Sequence, residues 1–449
     1  MQSRPAGLFS TFEPRASSAE IDTSDYARFY RFPSILDFGF DLRSGSARLV
    51  FRVDIRPDFL SFATSAYRTN LPAFEHGLDS VADVNMPTVS FFEYEGRKLS
   101  LSLGRRAISL GPGQYGLALS GSIPAIDHLV AQYEFPTRRG GFWYEFIAIG
   151  ADRFGDAFSF GPPAGDVPQN KNIFIHRLGW EGEHLRIAAS ELNLVHDIVP
   201  ALIDISPFAV YHNLYQDAYS NVMLDASAEL YYAPFRAYGE FAMDDLVMPW
   251  ENPGARPSAM GFLAGAQWKI AGGQAYGFGE MDEADYLRED RSFRVKGGLD
   301  LSLEFYRTTG YIYGRENASG RWTLPDHRLV SAAPFYLNEE SAFCLGFPYG
   351  PDTSLALASL AWESSTSRAR IDLGLLRKGA RGIDSWDTTN AATDWFALAE
   401  PVKTNLILRF AGELALKSWI GLWARLEALV GDTPEVNLGA GLSLRFSTR

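Results

Sequence analysis

The chain has 449 residues, 46% of them hydrophobic and 21% charged, and its 41 basic and 54 acidic residues leave a net charge of −13. That balance argues against a nucleic-acid-binding protein, whose phosphate contacts need a basic surface. The single cysteine, Cys344, excludes an internal disulfide framework and a cysteine-based metal site.

Met1 to Glu20 carries Arg4, Glu13, Arg15 and Glu20 but no apolar core of a leader peptide, so we expect a mature chain whose signal peptide has been removed. Residues 1–33 lack alternation and are expected to form an irregular, partly helical lead-in. Residues 34–449 read as one domain of repeated strand-turn-strand units. Period-two patterns, apolar on one face and polar on the other, place strands at Ile35–Leu42, Arg48–Ile55, Val89–Tyr94, Lys98–Gly104, Asp127–Phe135, Phe142–Ile149, Asn172–Trp180 and His184–Leu192. Leu224–Tyr232 and Phe235–Met243 flank an Ala233-Pro234 turn as a hairpin, and Gly261–Lys269 with Gln274–Met281 reads as another. Further strands are expected at Phe293–Leu303, Glu304–Tyr313, Ser354–Trp362 and Arg368–Leu376. Between them, Pro57–Met86, Gly314–Gly346 and Arg377–Lys403 read as long loops.

The last 46 residues alternate most cleanly. Leu406, Leu408, Phe410, Leu414 and Leu416 stand against Asn405, Arg409, Glu413 and Lys417. Ile420, Leu422, Leu426 and Ala428 then stand against Arg425 and Glu427, and Asn437 to Phe446 ends the series on an aromatic residue. That terminal segment resembles the closing signal of bacterial outer-membrane proteins. The fold class we expect is all-β: a large antiparallel transmembrane β-barrel of about 16–18 strands, even in number. Its last strand should close on the first, near Ile35–Leu42, because an unpaired edge is not tolerated in lipid. Alternating short turns and long loops fit periplasmic and extracellular connections, and a 14% aromatic content suits interfacial girdles.

A search for chemistry returns little. Gly111-Pro112-Gly113-Gln114-Tyr115-Gly116 matches G-x-G-x-x-G without a surrounding βαβ unit. The seven histidines show no metal-ligand spacing, and no G-x-S-x-G elbow occurs. Carboxylate pairs such as Glu229 with Glu240 read as hydrated charges on a barrel wall. We expect no enzyme, no cofactor and no metal.

Two stretches resemble the capsule assembly protein Wzi family. One is Leu103 to Pro124, L-G-R-R-A-I-S-L-G-P-G-Q-Y-G-L-A-L-S-G-S-I-P. The other runs from Asn172 to Tyr215 and contains F-I-H-R-L, S-E-L and I-S-P-F-A-V-Y-H-N-L-Y. The resemblance implies an outer-membrane barrel that binds and retains capsular or other extracellular polysaccharide without catalysis. It singles out Arg105, Gly111, Gly113, Ser120, His176, Arg177, Glu191, Pro207 and His212. Gly111 and Gly113 equally suit a turn, and Arg105 and Arg177 a lumen charge network. Glu191 shares the outward phase of Leu185, Ile187 and Ala189, so its carboxylate should sit at the rim or past a bulge. Exposed aromatics of the long loops, Trp322, Tyr336, Trp386 and Trp395, are candidate platforms for sugar rings. A general diffusion porin is the alternative, since a charge-lined lumen suffices for one. Expected partners are polysaccharide, outer-membrane lipid and, during biogenesis, the barrel-assembly machinery, with the protein a monomer.

Overall fold

A computed structural model describes residues 36–55, 89–121, 126–152, 171–206, 209–211, 219–246, 257–272, 298–325, 342–364, 366–385, 397–417 and 420–444. Among the described residues seventeen strands form one antiparallel sheet. They are β1 (Leu36–Ser44), β2 (Ala47–Ile55), β3 (Val89–Glu95), β4 (Leu99–Arg106), β5 (Ile126–Thr137), β6 (Gly140–Asp152), β7 (Lys171–Glu181), β8 (Leu185–His196) and β9 (Ser220–Tyr232). The series continues with β10 (Phe235–Asp245), β11 (Ala259–Ala271), β12 (Gly298–Thr308), β15 (Thr353–Glu363), β16 (Ser367–Lys378), β17 (Lys403–Lys417), β18 (Ile420–Gly431) and β19 (Glu435–Leu444). Two short strands, β13 (Thr323–Pro325) and β14 (Ala342–Cys344), pair apart from it. Among the described residues no helix is long and apolar enough to cross a membrane.

Each strand of the large sheet pairs with its sequence neighbours, from β1 with β2 to β18 with β19. The expected pairing of the last strand with the first is not formed among the described residues. Among the described residues the meander has 17 strands, so its first and last run in the same direction and a ladder between them would be parallel. Two other expectations are corrected. β11 pairs with β10 and β12 on its two edges, which leaves no edge for a hairpin with Gln274–Met281, a segment outside the described residues. The two strands expected over Phe293–Tyr313 are one, β12, because the chain beyond Thr308 leaves the wall and turns into the barrel.

The two faces follow the alternation. Leu303 is 53% exposed while its neighbour Glu304 is 7% exposed, an inside-out pattern for a water-soluble sandwich but the normal one for a barrel in lipid. Leu406, Leu408, Phe410 and Leu422 are exposed on the outer face. Arg409, Glu413, Arg425 and Glu427 lie inside, and Lys417 is exposed at the strand's end. Outward aromatics collect at one end of the barrel, where Phe92, Tyr94, Tyr133, Phe135, Phe142, Tyr232, Phe235, Trp268 and Trp362 are all exposed. Rings of this kind prefer the membrane–water interface.

The connections at that end are short: 45–46, 96–98, 138–139, 182–184, 233–234, 364–366 and 418–419, with 272–297 the exception. At the other end run 56–88, 107–125, 153–170, 197–219, 246–258, 309–352 and 379–402, with only 432–434 short. The expected short-long asymmetry is therefore present.

Candidate functional site in the barrel lumen

The inner face changes character along several strands. Toward the long-loop end it is largely apolar, with Ile147 and Ile149 on β6, Ile173 and Ile175 on β7, Leu192 and Leu194 on β8, Leu355 and Leu357 on β15, and Ile407 on β17. Toward the short-turn end it carries ions: Arg177 with Glu145, Arg236 with Glu229, Arg368 with Glu413, Arg370 with Asp372 and Arg409 with Glu427. An apolar inner wall is unfavourable against water. Here it is covered from inside the barrel. Ile108, Leu110, Tyr115, Leu117 and Leu119 from the β4–β5 connection join Ile312, Tyr313, Trp322, Leu345, Phe347 and Tyr349 from the β12–β15 connection in one buried cluster with the wall. The cluster spans from β6–β8 on one side to β15–β17 on the other. The Gly314–Gly346 loop, expected to be polar and extracellular, thus folds over its described part into the lumen.

Backbone pairing ties the two segments together. Leu110 N donates to Leu119 O (2.9 Å), Ser120 N to Leu345 O (2.7 Å) and Leu345 N to Trp322 O (2.9 Å). Charged wall residues then hold the tip of the first segment. Glu240 on β10 accepts Leu117 N (2.7 Å) and Ala118 N (3.3 Å). Glu304 on β12 accepts Gln114 N (2.9 Å) and the Tyr238 hydroxyl (2.6 Å). Arg236 donates to Pro112 O (2.9 Å), Arg370 to the Gln114 side chain (2.6 Å), and Arg409 to the hydroxyls of Tyr115 (2.5 Å) and Tyr349 (2.7 Å). Each contact satisfies a buried polar group that would otherwise cost about 1–3 kcal/mol. The second segment is held by Asp244, which accepts Tyr313 N (3.2 Å) and the Trp322 indole N–H (3.2 Å), and by an Arg315–Asp245 ion pair. Lys171 Nζ donates to Arg321 O (2.8 Å) and Thr323 O (3.2 Å). Cys344 is buried in this cluster, and burial pushes its thiol up to about 12.

The singled-out residues fall into two groups. Gly111, Gly113 and Ser120 belong to the plug. Gly111 sits at φ +89°, where a Cβ would also overlap the Glu240 carboxylate, and a Cβ on Gly113 would press on Leu263 and Tyr306. These glycines let backbone lie against the wall, a closer role than a plain turn. Arg177 faces inward with its guanidinium 4.9 Å from the Trp143 ring centroid. Arg105 does not join it. Arg105 has the outward phase of Leu103 and makes a bidentate pair with outward Asp127 (2.7 and 2.8 Å), correcting the lumen assignment.

His176 and Glu191 are directly opposed across β7 and β8 on the outer face. The register of β8 shifts nowhere, so no bulge relieves Glu191, which lies five positions before the strand's last residue, His196. Trp322 is 1% exposed and is a plug residue rather than an exposed sugar platform. Pro207, His212, Tyr336, Trp386 and Trp395 lie outside the described residues. Sequence reasoning missed the tethering groups Arg236, Glu240, Glu304, Arg370 and Arg409, since an inward charge looks alike whether it meets water or a plug. The available signal was the charge-free, glycine-rich run after Arg106, which suits no aqueous loop. Among the described residues no group of three or more His, Cys, Asp or Glu is placed to hold a metal ion.

No family model matches this chain, and no curated protein matches it. Among solved structures it is similar to Wzi of Escherichia coli, an outer-membrane protein involved in group 1 capsule assembly and a carbohydrate-binding β-barrel. The TM-score is 0.54 at 12% identity, covering 92% of this chain and 78% of that one. It also matches the outer-membrane channel DcaP of Acinetobacter baumannii, with a TM-score of 0.28 at 10% identity over 78% of this chain and 97% of that one. The first likeness shows the fold, that of an outer-membrane β-barrel; the second is too weak to carry an argument.

Proposed function

We propose that this chain resides in the outer membrane, long-loop end outward, and binds and retains extracellular polysaccharide there without catalysis. The observation that carries the reading is the single buried cluster spanning the lumen from β6–β8 to β15–β17. A diffusion pore needs a continuous polar path, whereas a surface anchor gains from a filled mouth that gives its loops a fixed footing. The sugar contacts are assigned to Tyr336, Trp386 and Trp395, aromatic residues set among acids, amides and basic groups that suit sugar hydroxyls. The channel reading rests on the charge-lined inner wall of the short-turn half, with Arg368, Glu413, Arg409 and Glu427. Conductance of the purified protein in a planar bilayer separates the two. A closed pore, together with loss of surface-retained polysaccharide on replacing Tyr336, Trp386 and Trp395 by alanine, supports the anchor. A large steady conductance with unchanged retention supports the channel.

A further inference from the structure

The connection after β8 does the reverse of the plug loops: over its described residues, 197–206 and 209–211, it folds over the outside of the barrel. Tyr211 forms a buried cluster with Phe146, Phe174 and Val195, and Ile198 and Ala209 pack against it. These wall residues have the opposite phase from Ile147, Ile175 and Leu194, which face the lumen. The Tyr211 ring also lies 4.7 Å from that of His176. Asn193, in register with Phe174 and Val222, is fully buried beneath the same cluster. Glu191 lies roughly 16 Å along β8 from the strand's end, a depth at which an outward carboxylate is costly in lipid.

The outer surface of this flap is apolar. Val199 is 83% exposed, Leu202 86% and Val210 65%, and Ile203 and Ile205 are also exposed. Between Asp197 and Tyr211 the only ionisable residue is Asp204, and it is fully buried, its carboxylate accepting Ala201 N (2.8 Å). The Tyr211 hydroxyl donates to Asp204 O (2.6 Å). A loop in water would place its apolar groups inward and its charge outward. This one is built the other way, and its exposed surface continues the outer wall, where Leu178, Ile187 and Leu224 are exposed.

We propose that residues 198–206 and 209–211 form a membrane-embedded flap. Val199, Leu202, Ile203, Ile205 and Val210 contact the acyl chains of the surrounding leaflet, while the flap seals His176, Glu191 and Asn193 from hydrocarbon. The segment is thus a lipid-contact surface and not part of a sugar-binding rim.

The test uses the full chain in phosphatidylcholine vesicles. A nitroxide is attached at Leu202→Cys, with Leu178→Cys as the lipid-facing control and Arg139→Cys in a short turn as the aqueous control. Cys344 is buried and does not take label in the folded protein; Cys344→Ser confirms this. Power saturation reads accessibility to oxygen against a water-soluble nickel chelate. The expected oxygen-to-nickel ratio at Leu202→Cys matches Leu178→Cys and lies several-fold above Arg139→Cys. A ratio matching Arg139→Cys overturns the proposal, and so does dipolar broadening between labels, which would make a second copy the occupant. If Leu202→Cys fails to give a heat-modifiable band, Val199→Cys and Val210→Cys carry the same comparison.

Discussion

Gly111→Ala tests whether the lumen segment is a tethered plug. At φ +89° an alanine is strained, and its methyl overlaps the Glu240 carboxylate, which must swing away. Glu240 then releases Leu117 N and Ala118 N. With about 1–2 kcal/mol for the left-handed backbone and about 0.5–1.5 kcal/mol for each of the two hydrogen bonds, the plug loses roughly 2–5 kcal/mol. None of that falls on the strand ladders, so the barrel should assemble while the segment leaves its seat. The expected result is an unchanged heat-modifiable gel shift with a conductance in planar bilayers that rises well above that of the unsubstituted protein. Glu240→Gln, which keeps the shape and an acceptor oxygen for the same backbone groups, should give a smaller rise. Gly111→Ala that folds and conducts like the parent would refute the tether, because the strain and overlap would then have had no seat to disturb.

Leu408→Arg should destabilise the barrel by about 2–4 kcal/mol if it lies near mid-membrane, read as a lower urea midpoint for the folded gel band; equal tolerance of Leu408→Arg and Leu408→Ala would remove the membrane from the outer face. Glu413→Gln removes the carboxylate that accepts Arg368 Nε (2.9 Å) and Nη2 (2.5 Å), and should cost about 1.5–3 kcal/mol in the same assay. Cys344 should resist maleimide at pH 8 in the folded protein, since burial pushes its thiol up to about 12 and leaves little thiolate, and should react after boiling. Rapid labelling of the unheated protein would mean that the β12–β15 segment is not seated in the lumen. The folded protein should migrate faster than the boiled one on SDS gels, and a stable, monodisperse protein without detergent would contradict the barrel.

The strands were legible in the chain itself. Period-two alternation is a local property of extended backbone, so Thr404 to Phe446 reported both its strands and its lipid face without knowledge of any partner. The glycines of the 111–116 run and the outward phase of Glu191 could also be read, but not what they meant. Whether a loop enters the lumen, stays in water or lies on the outer wall depends on what its side chains meet there. That is set by residues such as Glu240 and Glu304, more than a hundred positions away from the loop they hold. The same holds for Trp322, whose indole finds Asp244 on β10 and so leaves the surface. Alternation is decided within a few residues of the chain, whereas the plug and the flap exist only once the curved sheet has brought its distant strands around them.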